Sequence, residues 1–456
     1  MVERAFPQPA RSGPWREANV DASQKQRLLR RGVSEIIIES ELVRLLEDGK
    51  PLRLKMGFDP SAPDLHMGHA VGLRKLRQLQ ELGHKVVVII GDWTAQIGDP
   101  SGRSATRPML TQQQVLENAE TYMAQLFKIV DREQAETRLQ SDWFGPFSLA
   151  DVIKLTSRFT VAQLLARDDF AKRYAANQPI AITELLYPLL QAYDSIAIDA
   201  DVEFGGTDQR FNLLMGRDLQ QMMGQRPQQC FLMPLIPGTD GVQKMSKSLN
   251  NYIGVDDPPN EMYLKTMRLP DFAGKAADET ALDRPTSGSP TTLVNGELSL
   301  ILLYLECLTD VPDADLVEMR GALEADTVNP MELKKRLAHE LVTQFHGAGA
   351  AIAAERNFES TVQKGETPDD LATYTLPAHA GLAGKRLSHL LADAGLADSA
   401  SEAKRLIDQG AVSVNGKTVP TNVAVGALSL ATDDVVRVGR GRYVRIVAPD
   451  AWPQCS

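Results

Sequence analysis

The stretch "HMGH" sets His66 and His69 three residues apart, so both imidazoles share a face of one helical turn. A helix's first turn carries free backbone N–H groups and the positive end of the dipole, and it favours anions. Gly68 between the histidines removes a side chain where a ligand can approach the backbone. Such a site suits a polyphosphate whose charge moves during reaction. Two surface histidines are the plain alternative, and a zinc site lacks a third ligand at metal spacing. Downstream, "GVQKMSKSLNN" (241–251) places Lys244 and Lys247 in a hydroxyl-rich stretch without apolar periodicity. Each ammonium can donate charge-assisted bonds to phosphate, worth roughly 1.5–3 kcal/mol apiece. Gly238 and Gly241 give this loop freedom to close. Alone it reads equally as solvated surface, but the two features support each other.

A third group would serve an amino acid, whose ammonium needs anions. Asp99 lies in "GDPSG", and Tyr187, Gln191 and Asp194 fall at i, i+4 and i+7 of one predicted helix. Leu185, Leu186, Leu189 and Leu190 occupy its other faces. A polar stripe there is costly without partners, although a core helix with one satisfied Asp is the bland reading.

The elements that must position these groups are legible. "RLKMGFDP" (53–60) reads as a strand, and 63–83 as a helix capped by Asp64 and stopped by Gly83. "HKVVVIIGD" (84–92) is a buried parallel strand by its continuous β-branched run. Together they form a βαβ unit, and ligands bind at the carboxyl edge of such sheets. Residues 112–170 read as mostly helical, and 182–198 as an apolar helix interrupted by Pro188. Residues 200–224 read as strand, glycine turn and helix, and "CFLMPLI" (230–236) as a strand feeding the lysine loop. Helices recur over 297–360, whereas 271–292 and 361–383 are loose.

The 456-residue length implies two or three domains. No apolar run reaches the roughly 18 residues a membrane span needs. The arginine-containing start has no apolar region after it and reads as a disordered extension. Three scattered cysteines argue against a disulfide framework and fit a reducing cytoplasm. Net charge is −10, yet residues 384–447 hold nine Lys/Arg against six Asp/Glu, so a basic +3 tail follows a −13 body.

"HMGH" and "KMSKS" resemble the two signature motifs of the class I aminoacyl-tRNA synthetases. "FGGTDQRFN" (204–212) and "YPLLQAYD" (187–194) resemble the bacterial tyrosyl-tRNA synthetases in particular. The tail "KRLSHLLADAGLADSASEAKRLIDQGAVSVNGKTV" (385–419) resembles the S4 RNA-binding domain that these enzymes carry. The resemblance covers nearly all of 34–448. It implies an α/β fold: a Rossmann-like doubly wound catalytic domain, an α-helical domain, and a small α+β S4 domain. The expected partition is extension 1–33, catalytic domain 34–270 with a dimerisation insertion at about 115–190, linker 271–296, helical anticodon-side domain 297–360, linker 361–383 and S4 domain 384–448.

By position, the resemblance implies that His66 and His69 meet the ATP phosphates and ribose, with Ser61 and Gly68 beside them. Lys244, Lys247 and Ser248 would stabilise departing pyrophosphate, and Asp208 and Gly206 would hold the ribose. Asp99, Tyr187 and Gln191 would grip the tyrosine ammonium, with Asp59 and Thr94 also in the tyrosine site. Gln209 would lie near the substrate carboxylate, and Asp194 would face the phenol hydroxyl. Tyrosyl enzymes are themselves the reference case for rejecting phenylalanine through that hydroxyl, so this selectivity, with no editing domain, comes with the resemblance. Lys385, Arg386, Lys404 and Arg405, with the basic strand "RVGRGRYVRI", would bind RNA. ATP is expected as substrate with Mg²⁺ carried by it, and no tightly bound cofactor or metal site. Expected partners are L-tyrosine, tRNA(Tyr) and a second copy of the chain, without a membrane. Lys55, Met56 and Arg210 depart from the best-known members; the departure at 55 leaves the second partner of the phenol hydroxyl open, either Lys55 itself or another group, and no consequence follows from Arg210. Related nucleotidyltransferases such as pantothenate synthetase lack the tail. An RNA-binding protein on an inactive scaffold is the other reading, against which the intact site residues speak.

Overall fold

The computed structural model describes residues 27–60, 64–100, 110–274, 292–364, 371–377, 384–397, 399–439 and 442–448. It divides into two units, residues 1–257 with 265–341, and residues 258–264 with 342–456. The expected segment 297–360 is thus shared between them.

The first unit is built on six strands: β1 (Glu35–Ile37), β2 (Arg53–Phe58), β3 (Lys85–Ile90), β4 (Ala135–Leu139), β5 (Val202–Gly206) and β6 (Gln229–Met233). Their order is β1-β6-β5-β2-β3-β4, parallel except for β1, which runs against β6. Val86 to Ile89 are fully buried, as a strand covered on both faces requires. The strand order reverses between β2 and β5, and that reversal opens a crevice at their carboxyl ends. The edge strand β4 lies inside the stretch read as helical. Its sequence, AETRL, is half exposed and charged, so it carries no apolar signal.

Helix α1 (Met67–Glu81) joins β2 to β3. It starts with His66 as N-cap, later than expected, because Asp64 accepts from Gln125 Nε2 (3.2 Å) instead of capping. Helix α2 (Ile182–Ala197) runs unbroken through Pro188. It packs Leu189 and Ala192 against Met215 and Leu219 of α3 (Arg210–Met222), and that packing supports the helix on the far side of the proline. The expected linker 271–296 ends in the first strand of a hairpin, Leu293–Val294, which pairs with Glu297–Leu298 just beyond it, while 275–291 lie outside the described residues. The expected extension is packed from Leu28 onward: Leu28, Leu29, Arg31 and Val33 are buried.

The second unit holds a five-stranded sheet over helices Leu387–Asp393 and Ala400–Asp408, with Leu387, Leu391, Ile407, Val412, Val438 and Ile446 in its core. The basic stretch read as one strand is two, Val435–Val438 and Arg442–Val447, paired antiparallel. Thr373–Thr375 adds to the sheet in parallel, so the stretch 361–383 is not loose throughout.

Candidate active site

A cleft of about 350 Å³ opens at the carboxyl ends of β2 and β5. At one end the backbone N–H of His66 donates to His69 Nδ1 (3.2 Å), and the two rings lie 4.0 Å apart. Burial, the neighbouring imidazole and the charges of Lys247 and Lys244 push His66 well below the usual histidine range. Burial first, then Lys247, pushes His69 down to about 4. Both rings are therefore neutral hydrogen-bonding groups at physiological pH. A Cβ at Gly68 would sit 3.0 Å from the His66 ring, so this glycine makes room for the imidazole itself.

The lysine loop meets the same end. Pro237 bridges to Lys244, and Met245 N donates to Ile236 O (3.0 Å), which buries Met245. Lys244 Nζ reaches Asp208 Oδ2 (3.1 Å). Lys247 is half-buried and held below its usual range by that burial; neither it nor Ser248 lines the cleft, and Ser248 shares a hydrogen bond with Ser246. The loop is braced: Asn251 accepts from Ser246 N and donates to Asp240, and a Cβ at Gly238 would strike Asn251. Beyond it, Met67 N donates to Ile253 O (2.9 Å) and Val255 N to Leu65 O (3.0 Å), which stitches the two motifs together.

Carboxylates line the other end. Asp59, at the end of β2, accepts from Thr94 Oγ1 (2.6 Å) and Tyr187 OH (2.7 Å). Burial nonetheless raises it to about 7, with Asp99 adding to the rise. A Cβ at Gly91 would overlap Asp59 and Thr94, so only glycine permits that contact. Gln209 Nε2 donates to Asp99 Oδ2 (2.7 Å), and Asn212 Nδ2 to Gln209 Oε1 (2.9 Å). Asp194 accepts from Gln140 Nε2 (2.9 Å) and Trp143 Nε1 (3.1 Å). Burial lifts it to about 7 against the opposing charge of Lys55.

The cleft thus brings together Asp59, His66, Gly68, His69, Thr94, Asp99, Tyr187, Gln191, Asp194, Gly206, Asp208, Gln209 and Lys244. Ser61 lies outside the described residues. Lys55 does not reach the cleft: it is fully buried against Glu203 (2.9 Å). Arg210 pairs with Glu35 (2.9 Å). Gln140, Trp143, Gly91 and Asn212 went unread in the sequence. Gln140 and Trp143 follow the unrecognised β4, and a Gln at the carboxyl end of a strand was the available signal. In the second unit, Lys404 and Arg405 are exposed on Ala400–Asp408. Lys385 and Arg386 precede a helix rather than lie on it; Lys385 pairs with Asp393 and Arg386 donates to Asn422 O (2.8 Å).

Residues 47–363 match the family model for tRNA synthetases class I (W and Y), and residues 385–423 match the S4 domain. The tyrosine–tRNA ligase of Dehalococcoides mccartyi is 50% identical over 432 residues, 94% of this chain and 100% of that protein. That of Moorella thermoacetica is 45% identical over 441 residues, 95% of this chain and 98% of the other. A solved tyrosyl-tRNA synthetase from Archaeoglobus fulgidus, complexed with L-tyrosine, shares the fold at TM-score 0.56 and 24% identity, covering 74% of this chain and 100% of that one.

Proposed function

The chain belongs to the class I tRNA synthetases of the W and Y family, with an S4 domain behind the catalytic part, and on that premise we propose that it is a tyrosine–tRNA ligase. It activates L-tyrosine with ATP and passes the tyrosyl group to the 3′ end of tRNA(Tyr). The observation that carries this reading is one cleft with two chemistries: imidazoles and a lysine at one end, buried carboxylates at the other. Two curated relatives covering nearly the whole chain bear that name.

ATP enters as its Mg²⁺ complex and lies over His66 and His69, its ribose toward Asp208. Tyrosine lies with its ammonium toward Asp59, Asp99, Tyr187 and Gln191 and its phenol hydroxyl donating to Asp194. The tyrosine carboxylate attacks the α-phosphorus in line. An oxygen–phosphorus bond forms as the bond to pyrophosphate breaks; Lys244 receives the leaving charge, and Lys247 joins it as the loop 241–249 closes. No side chain acts as nucleophile; positioning and charge stabilisation do the work. The terminal adenosine hydroxyl of tRNA then takes the acyl group and AMP leaves.

Residues 342–456, with Lys404 and Arg405 exposed, are assigned to tRNA. Exposed Leu149, Ile153, Val161 and Ile182 support a pairing surface for a second copy in the 115–190 region. Free, buried Cys230 and Cys307 fit a cytoplasmic setting. No helix among the described residues is long and apolar enough to cross a membrane.

The test is ATP–pyrophosphate exchange with tyrosine, phenylalanine or tryptophan. Exchange with tyrosine alone is expected, and Lys244→Ala or Lys247→Ala should slow it roughly 10- to 100-fold. Absence of exchange with any amino acid, while RNA still binds, overturns the reading in favour of an inactive scaffold.

A further inference from the structure

Lys55 and Glu203 stand directly opposite each other on the neighbouring parallel strands β2 and β5. Their side chains are 0% and 1% exposed, and they meet at 2.9 Å. Lys55 Nζ also donates to Gln191 O (2.8 Å) and Ser195 Oγ (2.8 Å), both on α2. Glu203 accepts from Gln191 Nε2 (3.1 Å), Ser195 Oγ (3.3 Å) and Gln228 Nε2. The pair does not line the cleft, but Gln191 does.

We propose that the buried Lys55–Glu203 pair is a positioning device that fixes which end of the Gln191 amide faces the cleft. An ionised carboxylate only accepts hydrogen bonds. It therefore takes the amide N–H₂ of Gln191 and leaves the amide oxygen for the substrate. Lys55 meets the same carboxylate from β2 at 2.9 Å and, as a pure donor, has no acceptor to offer the Gln191 amide, so among the described residues the partner for that N–H₂ beneath the site is Glu203. An outward oxygen accepts from an α-ammonium, and an outward N–H₂ would repel it. The departure at position 55 thus recruits a residue beneath the site to set its preference for an amine. This deepens the tyrosine-ligase reading and rests on it.

The experiment exchanges the partners: Lys55→Glu with Glu203→Lys. The swap keeps the pair and the net charge, but a lysine at 203 only donates and forces the Gln191 oxygen inward. KM for tyrosine and for ATP is measured by pyrophosphate exchange, with inhibition by 3-(4-hydroxyphenyl)propanoate, which lacks the ammonium. KM for tyrosine should rise roughly 10- to 100-fold, the value of one charged hydrogen bond. Inhibition by the propanoate and KM for ATP should not change. Equal weakening of tyrosine and the propanoate, or an unchanged KM for tyrosine, overturns the proposal. If the swap does not fold, the neutral pair Lys55→Met with Glu203→Gln replaces it; this leaves the amide free to turn, so a selective loss of roughly two- to threefold is expected, and none overturns the proposal. A wild-type chain without tyrosine-dependent exchange defeats the tyrosine-ligase reading itself, which separates the two failures.

Discussion

At Asp194 and Asp59 the cost of burial exceeds the help of their hydrogen bonds, and both sit near 7. An ionised carboxylate accepts from a phenol or an ammonium with the help of its charge, and protonation removes that charge and adds an O–H donor facing them, so tyrosine binding should weaken as pH falls through 7. Each ionisation lost costs up to about tenfold per pH unit, so with two carboxylates KM for tyrosine is expected to climb between about tenfold and about a hundredfold per pH unit below that point, while KM for ATP stays flat. The imidazoles at the ATP end are held too low to titrate there, with His69 at about 4. Exchange kinetics between pH 5.5 and 8 check this; Asp194→Asn should remove much of the slope and cost roughly 10- to 100-fold in kcat/KM for tyrosine. A second titration reads stability. His84 is buried, accepts from Leu52 N through Nδ1 (3.2 Å), and is pushed down to about 4 by that burial. Between pH 6.5 and 4 the unfolded chain takes its proton and the folded chain does not. Its contribution is therefore whole above 6.5 and lost as pH falls toward 4. The raised carboxylates run the other way, so the comparison is with His84→Asn. Relative to that variant the wild type should lose about 2 kcal/mol between pH 7.5 and 5 by denaturant unfolding. The sequence showed which residue types line the cleft, because polar groups on an apolar helix are conspicuous. It did not show Gln140 and Trp143, whose role exists only once β4 is laid beside β3.

Elements were legible where both faces are buried and obscure where an edge is wet. The runs of β3 and β6 declare themselves, whereas β4 and the strand Thr373–Thr375 have half-exposed, polar sequences. The most consequential support was equally hidden. Arg31 lies in a stretch read as an extension, yet it caps the end of α4 (Leu300–Leu308), donating to Leu305 O (3.2 Å), Glu306 O (2.9 Å), Thr309 O (2.9 Å) and Val311 O (2.5 Å), and pairing with Asp313. No periodicity in a local window reveals a partner some 275 residues away. Carbonyls at a helix end need such donors, and a planar five-donor guanidinium meets several at once. Arg31→Ala should cost about 3–5 kcal/mol in unfolding experiments, with Arg31→Lys recovering only part. Helix α4 in turn holds the lysine loop, because Tyr304 OH donates to Pro237 O (2.5 Å) in the core. Tyr304→Phe leaves that carbonyl unpaired where the loop begins. A stopped-flow measurement of adenylate formation should show a rate about tenfold lower, with KM for tyrosine unchanged; an unaffected rate would mean the loop is held by Asn251 and the backbone alone.

Across the whole chain, charge is segregated by task. Residues 384–447 carry +3 and the remainder −13, so polyanion binding is concentrated in a unit with its own apolar core. Helix Ala400–Asp408 buries Ala403 and Ile407 and turns Lys404 and Arg405 outward, as the resemblance to S4 domains implies for these two. Charges so placed attract phosphates by releasing counterions, and their effect falls with salt in proportion to the contacts made. They have no bearing on a reaction between ATP and an amino acid in the other unit. Lys404→Ala with Arg405→Ala should therefore leave tyrosine-dependent exchange at the wild-type rate. The same variant should raise KM for tRNA in aminoacylation and lower the slope of log affinity against log salt by roughly 1 to 2. Measuring both activities on one preparation separates the cases: loss of exchange would show that the tail is needed for the chemistry, and an unchanged salt slope would remove these two side chains from the RNA surface.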